Sequence, residues 1–424
     1  MWTTYDPGDN GVGTDPDGFA GAVFDGRYIY FTPFNNGSSG SVPAEFLRFD
    51  TMGPFTASAS WSTFTPSDHG LGGPVFAYIG GTFDGRYVYF APLARVSCDY
   101  EGEVLRYDTL GTFTDPSAWA EYDAADDGAA LDGGFGGAAF DGRYVYLAPW
   151  DNACNGGYFA QVRRYDTQLP FASPTSWEAY APPGADGGYG KALVAGGYVY
   201  FSPHADGTHG EVLRFQTGGA FADPGSWQMF DPGNNGVGTD PDGYNGMAFD
   251  GRYVYFSPSY NGTAYHGEVL RYDTLNAFTD SGSWTTFDAT TVHANAKGFY
   301  GQASFDGRFV YFPPLSTGPG NSSNRAVTRY NTNLTFTDSD AWSVFEPDAL
   351  GGYEGCVFDG RFVYFVPRGD TPFHGQVLRF DAEEPPPIPS TSQWSVALGT
   401  LLLVTVGTLV LRGRRVVGAS ERGA

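Results

Sequence analysis

Apolar and polar positions alternate along this chain in short runs, each closed by Gly, Pro, Asp or Asn, a period-two pattern that predicts strands rather than helices. One run carries the rest. Phe24-Asp25-Gly26-Arg27-Tyr28-Ile29-Tyr30-Phe31 sets a tight Asp-Gly turn between an apolar approach and an alternating strand, and it returns at 83–90, 140–147, 194–201, 249–256, 305–312 and 358–365. The Asp position falls at 25, 84, 141, 250, 306 and 359, with Ala195 between, so seven copies recur every 53–59 residues.

Each period predicts four antiparallel strands, a to d, clearest in the fifth copy. Strand a is Gly246-Met247-Ala248-Phe249 and strand b is Tyr253-Val254-Tyr255-Phe256. Strand c is Glu268-Val269-Leu270-Arg271-Tyr272-Asp273 and strand d is Trp284-Thr285-Thr286-Phe287. Four strands repeated seven times predict an all-β fold, a seven-bladed β-propeller with one repeat per blade. Strand a carries the smallest residues (Gly21-Ala22, Gly80-Gly81, Gly137-Ala138, Gly246, Gly355), as the crowded axis requires, and strand d carries the large Trp. The seventh repeat ends after strand c, at Asp381. Trp2-Thr3-Thr4-Tyr5-Asp6 matches Trp284-Thr285-Thr286-Phe287-Asp288, so the first strand should complete the last blade and leave no open edge.

This closure resembles that of WD40 and kelch propellers in architecture over residues 1–381, although neither family's motif is present. At 424 residues, with 41% apolar and 17% aromatic content, the chain can build so large a core. With 23 Lys+Arg against 47 Asp+Glu, net −24, its surface repels phosphate, and no nucleic-acid partner is expected. Thirteen of the 21 Arg recur identically, in the Asp-Gly-Arg turn or strand c, and read as structural.

Past the propeller the pattern changes. Residues 382–393 form a Pro-rich linker, 394–411 an uncharged apolar run of 18 residues, and 412–424 a basic tail opening with Arg412, Arg414 and Arg415. As a helix the run would span about 27 Å, enough to cross a bilayer. The Arg cluster would stay cytoplasmic and the propeller would face outward. Ile388-Pro389-Ser390-Thr391-Ser392-Gln393-Trp394, then an apolar helix, then Arg residues, resembles the bacterial IPTL-CTERM and PEP-CTERM sorting signals. The resemblance implies an exosortase-type processing enzyme as a partner and delivery to the cell surface; a plain C-terminal anchor in a bacterial membrane is the other reading. An exported chain is expected to open with a signal peptide, and this one opens within a predicted strand, so the expectation is an upstream start or a fragment.

Strand topology places the d–a and b–c loops on one variable rim, where binding is expected. Strand a enters from that rim with an aromatic residue: Phe19, Tyr78, Phe135, Tyr189, Tyr244, Tyr300 and Tyr353. These rings either stack on sugars at a funnel mouth or cap the blade cores. Strand a breaks its small-residue rule at Lys191, Asn245, Gln302 and Glu354, four polar groups near the axis on blades four to seven. Asp6, Asp9, Asp15 and Asp17 recur as Asp231, Asn234, Asp240 and Asp242 in a duplicated loop, which makes calcium the candidate cofactor. Cys98 and Cys154, in b–c loops of adjacent blades, are positioned to form a disulfide. No nucleophile elbow, zinc-protease helix or assignable carboxylate pair is present.

The resulting expectation is a surface-displayed, non-enzymatic propeller that binds an extracellular polysaccharide through the variable rim. The alternatives are a lyase or glycosidase acting in the central funnel with Glu354 and Lys191, and an adhesion scaffold whose rim contacts a surface protein.

Overall fold

The computed structural model describes residues 1–37, 45–72, 75–95, 102–123, 133–151, 157–204, 209–318, 323–369 and 372–382. The strands form seven four-stranded antiparallel sheets, six with their strands in consecutive chain order. In the seventh, the N-terminal strand Trp2–Tyr5 pairs with Val377–Asp381, Trp2 opposite Phe380 and Tyr5 opposite Val377. The ring is thus closed by hydrogen bonds between the two ends of the propeller.

The Asp-Gly-Arg turn explains its own repetition. Asp25 Oδ1 accepts the N–H groups of Arg27 (2.8 Å) and Tyr28 (2.6 Å), and its Oδ2 accepts the Tyr30 hydroxyl (2.7 Å). Gly26 takes φ +99°, a left-handed conformation that favours glycine. Arg27 then pairs with Asp50 at the end of strand c at 2.7 Å. Blade four lacks the set: Ala195-Gly196-Gly197 replaces the turn and Gln216 the strand-c Asp, and Arg214 Nη1 contacts the Tyr200 hydroxyl instead, at 3.2 Å.

Blades are joined through strand c. The Arg48 guanidinium lies between Tyr28 of its own blade (4.3 Å) and Phe113 of the next (4.5 Å), and Arg106, Arg164, Arg214 and Arg271 repeat the sandwich. The strand-d Trp fixes that second ring, since Trp119 Nε1 donates to Phe113 O at 2.9 Å. Phe46 of blade one packs on Phe90 and Trp119 of blade two, with centroids 4.6 and 5.4 Å apart, so the core lies between sheets. These buried rings supply the main stabilisation.

At the axis, strand a carries a bulge after its aromatic residue, where it has one residue more than strand b. A methyl on Gly21 would stand 2.9 Å from Gly80 Cα, and one on Gly246 only 1.9 Å from Gly301 O. Neighbouring first strands therefore meet backbone to backbone, which is why this segment is built from glycine.

Candidate functional site

The axial bulge decides which side chains reach the funnel. Lys191, Asn245 and Glu354 lie inside it on blades four, five and seven, and Tyr300 and Gln302 occupy the corresponding gap in blade six. A bulge re-aims side chains that a regular strand would alternate between blade faces. The four polar positions read from the sequence are thus gathered around one axis. Asn245 Oδ1 accepts the Gly301 N–H at 2.8 Å and fastens blade five to blade six. Gln302 O accepts the Cys356 N–H at 2.9 Å, fastening blade six to blade seven. Glu354 is ion-paired with Arg368, whose guanidinium lies 4.4 Å from the Phe34 ring centroid.

Lys191 is buried at 4% exposure, its Nζ donating to Gly136 O of blade three at 2.8 Å. Burial lowers its pKa to about 8, with Glu354 raising it and Arg368 lowering it. His204 is pushed down to about 3 by burial first and the Lys191 charge second, so its imidazole is neutral.

The aromatic ring expected at the mouth is placed differently. Phe19, Tyr78, Phe135, Tyr189, Tyr244 and Tyr353 are each at most 1% exposed. They face the Pro that ends strand b, as in the pairs Tyr189–Pro203 and Tyr244–Pro258, and cap the blade cores with no face left for a sugar. In blade six that place belongs to Phe299, which faces Pro314, and Tyr300 is displaced by one residue onto the axis.

That displacement completes a feature the sequence reading missed. The residue after the strand-b Pro, here called the collar, is Phe34, Leu93, Trp150, His204, Ser259, Leu315 and Arg368 in turn, and it contacts its neighbour across blades at Arg368–Phe34, Trp150–His204 and His204–Ser259. Trp150 and His204 have ring centroids 4.5 Å apart, His204 and Tyr300 5.8 Å, Tyr300 and Tyr265 6.4 Å, and Tyr265 and Tyr260 5.4 Å. Five rings from blades three to six thus make a continuous arc, with all but His204 partly exposed. The available signal was variation: six collar identities stand at one position of an otherwise uniform repeat.

The duplicated acidic loops pack on His-Gly pairs of the b–c loops. A methyl on Gly375 would stand 2.5 Å from Asp17 Oδ1 and 3.1 Å from Asp6 Oδ1, and one on Gly210 2.3 Å from Asp242 Oδ1 and 3.3 Å from Asp231 Oδ1. Burial, then the charges of Asp6, Asp15 and Asp9, raise Asp17 to about 7. Asp242 rises to about 6 by burial, then by Asp231 and Asp240. Asp6 Oδ1 accepts the Asp9 N–H, and Asp231 takes both the N–H and the side-chain amide of Asn234. Asp15 and Asp240 accept Asn36 and Asn261. Among the described residues no group of three or more His, Cys, Asp or Glu is arranged to hold a metal ion.

Cys98, Cys154 and the segment 394–411 lie outside the described residues. Among those described, no helix is long and apolar enough to cross a membrane.

No protein-family model matches the chain, and no curated protein matches it. Among solved structures it is similar to the WD40 beta propeller domain of Doa1, at 10% identity and TM-score 0.52, over 90% of this chain and 96% of that one. The fold is a seven-bladed β-propeller. The computationally designed Ika8 protein is also similar, at 9% identity and TM-score 0.47, over 89% of this chain and 98% of that one. At such identities the likeness concerns the propeller architecture alone.

Proposed function

We propose that this propeller is a non-enzymatic receptor that binds an extracellular polysaccharide across the mouth of its axial funnel. The observation that carries the reading is the arc Tyr260–Tyr265–Tyr300–His204–Trp150, in which His204 feels the charge of Lys191 and Tyr300 the charges of Arg368 and Glu354. Partly exposed rings beside hydrogen-bonding side chains suit sugar rings, which offer an apolar face and a hydroxyl-bearing edge. The likeness to Ile388–Trp394 sorting signals supports display on a bacterial surface, anchored or processed through 394–411.

The test is saturable binding of the full chain, in mild detergent, to a panel of polysaccharides with and without calcium. Calcium is included because of the two acidic loops. Binding lost in Trp150→Ala supports the reading; no binding to any glycan overturns it and leaves a scaffold that contacts proteins. Hydrolysis or elimination of a bound glycan, lost in Glu354→Gln, would instead make the funnel an active site. Protease shaving of intact cells tests surface display.

A further inference from the structure

Lys191 crosses the axial opening. A methyl on Gly137 of blade three would stand 3.0 Å from its Cδ, and Nζ ends at Gly136 O. Among the described residues, a methyl at Gly80 of blade two would meet nothing nearer than that same Nζ, at 4.0 Å. Open space therefore adjoins the ammonium on the side of blade two.

An ammonium has three protons to donate, and Gly136 O takes one. Among the described residues no other acceptor lies within hydrogen-bond distance of it. Glu354 is committed to Arg368, and His204 is neutral. Among the described residues Lys191 is thus a buried cation with no carboxylate hydrogen-bonded to its ammonium, in a chain of net charge −24. A buried charge is costly unless paired, and a neutral sugar would add hydroxyls without balancing it.

We propose that the glycan is acidic, of the uronic-acid class, and that a ligand carboxylate enters beside Gly80 to pair with the Lys191 ammonium. This rests on the glycan reading of the funnel. Aromatic contacts along the arc then hold the sugar rings, while the carboxylate sets the register of the chain on the floor.

The experiment is calorimetric titration of the full-length protein with oligogalacturonate, oligoglucuronate and oligomannuronate, each beside its methyl-esterified counterpart, with neutral glucans and mannans as a further panel. At least one acid form should bind about thirtyfold or more tighter than its ester, and the preference should shrink as salt is raised. Lys191→Met should remove that preference while keeping the binding that the ester shows. Trp150→Ala should lose the binding of acid and ester alike. Equal affinity for acid and ester overturns the acidic class and leaves the glycan reading standing, as does tight binding confined to a neutral glycan. No binding to any member of either panel overturns both. If Lys191→Met fails to fold, as judged by near-ultraviolet dichroism, the acid-against-ester comparison on the wild type still decides.

Discussion

The guanidinium of Arg379, on the last strand in the chain's propeller, lies 4.2 Å from the centroid of the Phe55 ring in the first blade. Phe362 of its own blade covers the other face at 4.2 Å. The sandwich that joins other neighbouring blades therefore also spans the chain ends, alongside the pairing of Trp2–Tyr5 with Val377–Phe380. Arg329 of blade six is the exception. The next blade has no c–d connector to supply a Phe, and Phe345 and Phe380 stand in at 4.8 and 5.6 Å.

Closure can be tested by urea denaturation. Arg379→Ala should cost about 1–2 kcal/mol through lost cation–π contact and packing. Arg27→Ala, which removes an exposed ion pair and a contact with the adjacent Tyr28 ring but nothing between blades, should shift the midpoint much less. Equal effects of the two would contradict the sandwich as the joint between blades.

The two sets of aromatic residues should separate cleanly. Tyr189→Ala removes a buried core cap and should lower stability by about 3–5 kcal/mol. Trp150→Ala and Tyr265→Ala should abolish glycan binding with a much smaller change in melting temperature. A Tyr265→Ala variant that binds normally would count against the arc.

The architecture was readable because it is written seven times: the Asp-Gly-Arg turn, the strand-c Arg and the strand-d Trp each recur, and the displaced Trp2 strand settles the count. The polar set Lys191, Asn245, Gln302 and Glu354 was readable as violations of a repeated small residue. The collar was not, since Trp150 and His204 share a position with Leu93 and Ser259 and resemble nothing in common. Tyr300 falls out of place because blade six has one more residue than the other blades between its capping aromatic, Phe299, and Phe305, with no matching insertion on strand b, and alignment on Phe305 hides it.

The acidic loops should give stability a pH dependence opposite to that of salt-bridged carboxylates. Asp17 is raised to about 7 and Asp242 to about 6 from 3.8. At these two carboxyls the native state binds more protons than the unfolded one across that window, so their contribution to stability rises as pH falls from 7 toward 4. Asp17→Asn with Asp242→Asn should flatten this slope in thermal melts. Asp50, held below 3.8 chiefly by its hydrogen bond from Arg27, stays ionised throughout the window. An unchanged slope in the double variant would contradict carboxyl crowding.

Lys191 should act in a separate range. Its pKa falls from 10.5 to about 8, so between these values the unfolded chain binds the extra proton and stability gains as pH rises. Subtracting the Lys191→Met profile isolates the effect from tyrosine ionisation. A difference that stays flat between pH 8 and 10 would show that the amine is not desolvated at the axis.

The most direct test of the account is a glycan array probed with the intact wild-type protein beside a Trp150→Ala/Tyr265→Ala variant whose melting curve is checked first. The account predicts saturable binding to a defined group of glycans, lost in the variant at near-native stability. Binding that survives both substitutions, or no binding to any glycan, would contradict a carbohydrate site at the funnel mouth.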